Sequence, residues 1–254
     1  MKAAIITAAG ISSRFNEGIP EEEQKHKCIY YEKNMKDTLL ARLLEKCFYA
    51  DKIIVVGGSR YEDMQAYCQA LPGMIKNKLI LTYNSHYADL ASGYSLYVGL
   101  KELFERYDDV EEVLFSEGDL DVDRMSFEKI VKSEKDVLTY SHEPIYADKA
   151  VVLYRDGKGN FRYAFNSEHK LLFIEQPFSC ILNSGQIWKF RSADLLQRAA
   201  EKFYRENKTE TNLKIIQDYI ELRGSENFDV IGLKRWVNCN TRQDYRKILE
   251  FRDE

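Results

Sequence analysis

The chain has 254 residues, of which 37 are basic and 41 are acidic, so its formal net charge is −4. This balance excludes the chain-wide basic field that is typical of nucleic-acid-binding proteins. Apolar residues make up 44% of the chain, which is enough for the core of a globular protein. No apolar run approaches the roughly 18 residues that a membrane helix needs. We therefore expect a soluble protein with one α/β domain or two small domains.

The first 140 residues alternate short apolar runs with amphipathic segments. This pattern predicts strands at Ala3–Thr7, Ile53–Val56, Leu79–Tyr83, Val113–Phe115 and Val137–Tyr140. It predicts helices from an Asp37 N-cap to Cys47, and over Tyr61–Leu71, Ser92–Tyr107 and Ser126–Ser133. Strands that alternate with helices in this way indicate a Rossmann-like, mainly parallel sheet with helices on both faces.

The pattern changes after residue 141. Ala150–Arg155 and Phe161–Phe165 flank a glycine-containing turn and predict a β-hairpin, which Leu171–Ile174 is expected to extend. The later predicted elements are helices at Ser192–Asn207 and Asn212–Leu222, a strand at Asp229–Leu233, the segment Trp236–Thr241 and a last helix from near Thr241. We predict a single domain over 1–254, whose second half forms a small β-rich lid and closing elements.

The cysteines give a guide to the compartment. They are Cys28, Cys47, Cys68, Cys180 and Cys239. Their number is odd and they form no CxxC pair, so neither a disulfide framework nor a zinc site is predicted. Reduced structural thiols in a cytoplasmic protein are the favoured interpretation. Residues 3–11 also have some character of a signal peptide, but Thr7 interrupts the apolar run and Arg14 follows at once, which favours a buried strand.

A loop of small residues follows the first predicted strand, with the sequence Thr7-Ala8-Ala9-Gly10-Ile11-Ser12-Ser13-Arg14-Phe15. Ligands of open parallel sheets bind beyond the carboxyl ends of the strands. Small residues there let backbone N–H groups approach an anion, and Ser12, Ser13 and Arg14 add donors for phosphate oxygens. The loop is neither a GxGxxG loop nor a Walker loop. We predict that it binds phosphate; an ordinary tight turn with a surface arginine is the alternative.

The segment Ala8-Ala9-Gly10-x-x-Ser13-Arg14-Phe15 resembles the signature loop of nucleotidyltransferases that activate sugar phosphates, choline phosphate or related alcohols. Lys27 is similar to the triphosphate lysine of that family, and Glu117-Gly118-Asp119 to its acidic motif. The stretch from Tyr83-Asn84-Ser85 to Ser92-Gly93-Tyr94-Ser95-Leu96 resembles the Asn-to-Ser segment of bacterial choline-phosphate cytidylyltransferases. Ser184-Gly185 resembles the Ser/Thr-Gly that faces the substrate in the lid region of the family. Asn238-Cys239-Asn240-Thr241 is similar to its late Asn or Asp that is followed by Thr and a helix. The resemblance spans Lys2 to about Ile248.

This resemblance implies a nucleotide-diphospho-sugar transferase-like fold, with a nucleotide-binding half at about 1–141 and an acceptor-binding lid at about 142–254. It implies transfer of a nucleoside monophosphate from a nucleoside triphosphate, with CTP favoured, to choline phosphate, a sugar 1-phosphate or a phosphonate. No nucleic-acid partner or membrane insertion is expected, and a homodimer is left open. The implied nucleotide-binding residues are Ala8, Ala9, Gly10, Ser12, Ser13, Arg14, Asn84, Ser92 and Glu117, and the implied acceptor-binding residues are Tyr94, Ser184 and Gly185.

The implied reaction joins two anions, because a phosphate or phosphonate oxygen attacks the α-phosphate of a triphosphate. Its catalysis must mostly neutralise charge and align the attack, and it needs no protein nucleophile. Arg14, Lys27 and Asp119 are the expected catalytic residues. Asp119 is also the expected Mg²⁺ ligand, with Asn240 adding a carbonyl oxygen, since Mg²⁺ takes few protein carboxylates.

Other interpretations of these residues stay open. The acidic residues from Glu117 to Asp123 are also typical of a solvated turn, and Asn240 of a helix cap. Ser12, Glu117 and Asn240 depart from the family pattern, which more often has Gly, Asp and Asp. Tyrosine rings attract quaternary ammonium groups, although packing is the preferred role for the tyrosines near the expected pocket: Tyr83, Tyr87, Tyr94 and Tyr146.

Two rival functions follow from the same residues. A glycosyltransferase would use Asp119-Leu120-Asp121 as its metal motif and would not need Arg14 and Lys27 on a triphosphate. A nucleotide-binding regulatory module would have a metal site weakened by Asn240, because an amide replaces a carboxylate.

Overall fold

The structure, a computed structural model, describes residues 1–146, 150–164 and 171–251. The strands in these ranges are β1 (Lys2–Ala8), β2 (Lys52–Gly57), β3 (Leu79–Tyr83), β4 (Glu112–Glu117), β5 (Leu120–Val122), β6 (Asp136–Ser141), β7 (Val152–Asp156), β8 (Phe161–Ala164), β9 (Phe178–Phe190), β10 (Phe228–Leu233) and β11 (Trp236–Asn238). The helices are α1 (Leu39–Lys46), α2 (Tyr61–Ala70), α3 (Gly73–Lys76), α4 (Ser92–Arg106), α5 (Arg124–Lys132), α6 (Ala193–Glu206), α7 (Asn212–Arg223) and α8 (Arg242–Glu250).

Nine strands form one sheet in the order β10-β6-β9-β4-β1-β2-β3, with β7 joined to β9 and β8 to β7. β1 pairs in parallel with both β2 and β4, and β3 pairs in parallel with β2. β9 runs antiparallel to its neighbours β4 and β6. The mainly parallel sheet predicted from the sequence is confirmed, and its continuous apolar strands are typical of a sheet buried on both faces.

The central strand β1 supplies side chains to two cores. Ala3 and Ile5 pack with residues of α4, α6 and α7, whereas Ala4 and Ile6 pack with residues of α1, α2 and α5. Successive side chains of a strand point to opposite faces, so helices cover both sides of β1. This burial holds the carboxyl end of β1, and the loop that follows it, at the middle of one edge of the sheet.

Two predicted elements need correction. The first helix begins at Leu39 rather than after an Asp37 cap, because the Thr38 hydroxyl accepts the Ala41 N–H at 3.0 Å and Asp37 closes a short 3-10 turn. The hairpin is confirmed by the pairing of β7 with β8, although its predicted end at Phe165 lies outside the described residues. The predicted extension over Leu171–Ile174 is wrong, since this segment forms no strand and instead packs Leu172 and Ile174 against a small buried cluster of Ala150, Val152 and Tyr154.

The sequence did not indicate β9. Its middle, Asn183-Ser184-Gly185-Gln186, contains residues that are depleted in strands, and the pairing with β6 shifts register there, between Leu138 and Tyr140.

All five cysteines are free thiols, and Cys180 is the exposed one. No helix within the described ranges has the length and apolar character to span a membrane.

Candidate active site

A cleft of about 380 Å³ opens at the sheet edge where β1 and β4 end. The beginnings of α4 and α7, the middle of β9 and the segment after β11 complete its walls. Nine residues predicted from the sequence lie around it: Ala8, Ala9, Gly10, Arg14, Lys27, Ser92, Glu117, Asp119 and Asn240. The structure therefore brings the first loop, the acidic motif and the late asparagine motif to one place.

The loop after β1 is held by side chains that the motif does not show. Asn16 is buried, and its amide donates to the carbonyls of Ser12 (3.1 Å) and Lys25 (2.9 Å). Ser12 has a left-handed backbone (φ +64°), a conformation that favours glycine, and its hydroxyl accepts the Lys27 N–H at 3.2 Å. A Cβ at Gly10 would meet nothing within 4 Å, so backbone is open to a ligand there. Ser12 and Ser13 line a small hollow beside the cleft.

Lys27 and Asp119 form an ion pair at the cleft, with Nζ 2.6 Å from Oδ2 and side chains that are 16% and 18% exposed. Burial alone would lower the pKa of Lys27, but the Asp119 carboxylate together with Cys28 and Cys239 outweighs it, and the pKa is raised. The acidic turn lies tightly against β1, because the Gly118 N–H donates to the Thr7 carbonyl at 2.8 Å. A Cβ at Gly118 would approach that carbonyl to 2.7 Å, so glycine is needed between Glu117 and Asp119.

The late asparagine motif lies beside this turn. β11 pairs with β5, which places Asn238 opposite Leu120, and the Cys239 N–H donates to the Asp119 carbonyl at 2.8 Å. Asn238 and Asn240 both line the cleft. The cap of α8 is Thr241, whose hydroxyl accepts the Asp244 N–H, so Asn240 is not the helix cap.

Three buried polar atoms of the cleft have no hydrogen-bond partner: His26 Nε2, Asp119 Oδ1 and Asn238 Oδ1. Buried polar atoms are rarely left unpaired, and such atoms at a cleft often meet a ligand. A carboxylate oxygen and an amide oxygen are acceptors that suit a cation, whereas an imidazole N–H is a donor that suits an anion. In the described ranges, no three His, Cys, Asp or Glu side chains converge as a metal cluster.

Glu117 is the carboxylate of the cleft on the side of α7. Asn212 donates its amide to Glu117 Oε1 at 2.7 Å. The pKa of Glu117 is raised to about 7, mainly by burial and also by the nearby Asp119 carboxylate, although Asn212 and Lys27 oppose the shift. The unfolded chain has no such burial, so the folded protein carries the cost of a buried charge at high pH.

We expect Glu117→Gln to stabilise the metal-free protein at pH 8 and to have little effect near pH 4.5. The folded pKa is raised above its ordinary value of 4.5, so stability falls as pH rises from 4.5 through about 7. The variant should recover up to about 3 kcal/mol at pH 8, at about 1.36 kcal/mol per pKa unit. Urea unfolding at both pH values, with a metal chelator present, measures the change in the free energy of unfolding, and the exposed Glu134→Gln is the control. Equal effects at the two pH values would contradict the assignment.

Six predicted site residues do not line the cleft: Ser12 and Ser13, which line the hollow beside it, and Tyr94, Ser184, Gly185 and Asn84. Tyr94 lies in a separate tyrosine-rich groove beside α4 and β3. Ser184 is fully buried, and a Cβ at Gly185 would clash with Leu233 and Thr139, so both pack inside the sheet. Asn84 is fully buried and donates to the Ser95 hydroxyl at 2.9 Å. The substrate-binding roles of Tyr94, Ser184, Gly185 and Asn84 therefore have no support from position, and Asn84 contacts the cleft only through its bond to Ser95, which lines it.

We expect Asn84→Ala to destabilise the fold by about 2–4 kcal/mol, because it leaves buried groups unpaired and opens a small cavity. Besides the bond to Ser95, Asn84 Oδ1 accepts the His86 N–H at 2.8 Å, and alanine removes both contacts. Urea unfolding measures the loss, with exposed Asn77→Ala as the control. A change as small as that of the control would show that Asn84 is not structural.

The remaining candidates are divided by position. Of the four tyrosines considered for a quaternary ammonium group, Tyr87 lines the cleft, Tyr83 and Tyr94 line the separate groove, and Tyr146 is exposed. Asp121 is buried against Arg42 and Arg235, and Asp123 caps α5, so neither residue faces the cleft. These acidic residues are structural rather than a solvated turn.

Sequence reasoning missed several residues that line the cleft: His26, Gln186, Thr211, Asn212, Leu213 and Asn238. Asn238 belongs to the late motif and ends β11, and a residue at the end of a strand is a candidate for a site at the sheet edge. Gln186 reaches the cleft because it has a left-handed backbone (φ +55°) in the irregular middle of β9, which no sequence pattern announces. Asn212 begins a helix, and nothing in its local sequence indicates a contact with Glu117.

The chain matches the model of a known protein family. The model of a family described as a domain of unknown function, DUF6564, matches residues 23–252. The chain belongs to the DUF6564 family. No curated protein matches this DUF6564 chain.

Solved structures share the fold of the DUF6564 chain at low sequence identity. A CTP:phosphocholine cytidylyltransferase from Streptococcus pneumoniae is 17% identical, with 98% of each chain covered and a TM-score of 0.63. An inositol-1-phosphate CTP transferase from T. maritima is 16% identical over 98% of this chain and 96% of that one (TM-score 0.66). A nucleoside-diphosphate-sugar pyrophosphorylase from Vibrio cholerae RC9 is 13% identical, with 99% of this chain and 100% of that chain covered and a TM-score of 0.69. These likenesses confirm the predicted nucleotidyltransferase fold.

Proposed function

We propose that the chain is a nucleotidyltransferase, which transfers a nucleoside monophosphate from a nucleoside triphosphate to a phosphorylated small molecule. The observation that carries the proposal is one cleft in which the open Gly10 backbone, Arg14 and Lys27 lie with Asp119. Open backbone and cationic side chains suit a triphosphate. Two structures of the same fold are named for CTP, which supports CTP as the nucleotide here.

We infer that Mg²⁺ binds at the acidic end of this cleft. Asp119 Oδ1 and Asn238 Oδ1 are buried acceptors without partners, and Asn240 lies at the same wall. One carboxylate with neutral oxygens suits Mg²⁺, which completes its shell with phosphate oxygens and water. When bound, Mg²⁺ supplies charge neutralisation at the phosphates.

The chain's own residues would bind and align the two anions. An oxygen of the acceptor's phosphate attacks the α-phosphorus, the bond to the bridging oxygen breaks, and pyrophosphate leaves with the electron pair. Lys27 and Arg14 offset the negative charge of the triphosphate and of the leaving pyrophosphate. The loop anchors at Asn16 and Ser12 keep these donors in place before the substrates arrive.

The acceptor's own phosphate must lie near the same cations. Arg14 and Lys27 are the two residues with positively charged side chains among the described residues that line the cleft. The walls beyond them are apolar or neutral at Val151, Trp188 and Asn212, with Glu117 as a carboxylate. We infer that the body of the acceptor lies against these walls, so that the second half of a single domain binds it.

The free thiols support a reducing, cytoplasmic compartment.

The glycosyltransferase alternative is not favoured. Its metal motif would need Asp119 and Asp121 to approach one ligand. Asp121 is 1% exposed, and its carboxylate is bound by Arg42 at 2.8 Å and by Arg235. It is therefore already paired and lies outside the cleft lining, while Asp119 keeps an unpartnered oxygen inside it.

Pyrophosphate release tests the proposal. The protein is incubated with Mg²⁺, with CTP, UTP, GTP, ATP or dTTP in turn, and with choline phosphate, aminoethylphosphonate or sugar 1-phosphates. Release that depends on an acceptor and on one nucleotide supports a nucleotidyltransferase and identifies both substrates. Binding of a nucleotide without release for any acceptor supports the regulatory module. Binding of a nucleotide-sugar with transfer of its sugar would support the glycosyltransferase.

A further inference from the structure

His26 is a residue of the cleft with no role in the motifs described above. It precedes Lys27, is 1% exposed and lines the cleft beside the Gly10 loop. Its Nδ1 accepts the Cys28 N–H at 3.3 Å, so Nδ1 is the unprotonated nitrogen of a neutral ring and Nε2 carries the hydrogen. That Nε2–H is buried and has no hydrogen-bond partner.

The ring is neutral at physiological pH. The pKa of His26 is lowered to about 4, mainly by burial and also by the ammonium of Lys27. The carboxylates of Asp119 and Asp63 and the Gly10 carbonyl oppose this shift only in part. The Gly10 carbonyl is near enough to influence the ring but does not reach hydrogen-bond geometry. His26 therefore offers the cleft a neutral donor rather than a third positive charge.

A ligand can supply the acceptor that this donor lacks. The cations that line the cleft, Lys27 and Arg14, cannot accept a hydrogen bond, and neither the carboxylates of the cleft nor the Gly10 carbonyl makes one with Nε2–H. Backbone near Gly10 is open, and an anion drawn there by the two cations would present several oxygen acceptors. The unpaired acceptors Asp119 Oδ1 and Asn238 Oδ1 belong to the opposite class, which suits a cation.

We propose that His26 Nε2–H donates a hydrogen bond to a nonbridging phosphate oxygen of the polyphosphate group bound in this cleft. His26 is thus a further binding residue, which orients the phosphates without adding charge. The proposal rests on the proposed function for its nucleotide. A phosphate oxygen of the acceptor has the same chemistry, so the test separates the two sources. The polyphosphate is favoured because His26 directly precedes Lys27 and its ring lies near the Gly10 carbonyl.

Two variants divide the functions of the ring. Asparagine can accept the Cys28 N–H as Nδ1 does but has no donor at the Nε2 position. Glutamine is longer and can offer an amide N–H near that position. We expect His26→Asn to weaken the binding of inorganic pyrophosphate by about ten- to hundredfold, as for a hydrogen bond to a charged group, and His26→Gln to restore part of it. Calorimetric titration of pyrophosphate and, separately, of choline phosphate measures both sources, and thermal melting checks each fold.

The outcomes separate this proposal from the proposed function. Wild-type protein that binds no pyrophosphate and no nucleoside triphosphate overturns both. Wild-type protein that binds pyrophosphate, with His26→Asn binding it equally well, overturns the role of His26 alone. Loss that is confined to choline phosphate overturns the polyphosphate assignment, and equal loss in both variants indicates a structural role instead. If the variants do not fold, the ¹⁵N–¹H resonance of His26 Nε2 in the wild type must shift on adding pyrophosphate, and an unmoved resonance overturns the proposal.

Discussion

Asp119→Asn is expected to lower kcat for pyrophosphate release by about a thousandfold or more while leaving the chain folded. Asp119 is the carboxylate whose Oδ1 is buried without a partner in the cleft. A metal site of this kind supplies several kcal/mol to the transition state, and about 1.36 kcal/mol corresponds to a factor of ten in rate. Asparagine keeps an oxygen for the ammonium of Lys27, which lies 2.6 Å from Oδ2 in the wild type, so the fold should persist.

Two measurements check this prediction together. Steady-state rates give kcat, and electron paramagnetic resonance with Mn²⁺ gives the affinity for a divalent cation without any turnover. The control is Asp108→Asn, which changes an exposed aspartate outside the cleft and should leave both quantities unchanged. An Asp119→Asn variant with wild-type kcat would remove Asp119 from the proposed mechanism. Normal Mn²⁺ affinity with lost turnover would keep Asp119 in catalysis but remove it from the metal site.

The sequence predicts the parallel part of the fold because each strand there is a continuous apolar run with a helix after it. β1 shows why this works: its residues from Ala3 to Ile6 are fully buried on both faces of the sheet. β9 shows the limit. Its polar and glycine-containing middle resembles a loop, and its place between β4 and β6 is determined by pairing with strands that are distant in the chain. Such non-local pairing has no local signal.

The candidate site divides in the same way. Residues at the ends of strands, such as Gly10 and Asp119, come to the cleft because the end of a parallel strand is where the chain leaves the sheet. Asn84 and Ser184 belong to segments near the cleft, yet both side chains are fully buried and serve the protein interior. Sequence shows which segments approach a site, but the orientation of a side chain depends on packing. His26 illustrates this, since only its burial and its bond to Cys28 N–H distinguish it from a surface histidine.

Lys27→Gln is expected to have two effects of opposite sign. It should lower turnover by about a hundred- to a thousandfold, the usual cost of losing one donor that stabilises transition-state charge. It should also strengthen divalent-cation binding in the absence of nucleotide by about tenfold. In the wild type the ammonium of Lys27 lies 2.6 Å from Asp119 Oδ2 and competes with any cation for that carboxylate. Glutamine removes this competing charge but can still donate a hydrogen bond to the carboxylate.

The second effect is the more diagnostic, because few substitutions in a binding site improve the binding of anything. The matched control is Lys25→Gln, two residues away, whose side chain is exposed and whose backbone bonds to Asn16 are retained. It should change neither kcat nor Mn²⁺ affinity. If Lys27→Gln loses turnover with unchanged Mn²⁺ affinity, Asp119 does not hold the cation and Lys27 acts on the phosphates alone. If both quantities change as expected, Lys27 has two positions in the reaction cycle: it neutralises Asp119 before the substrates bind, and it passes to the triphosphate when the cation takes its place.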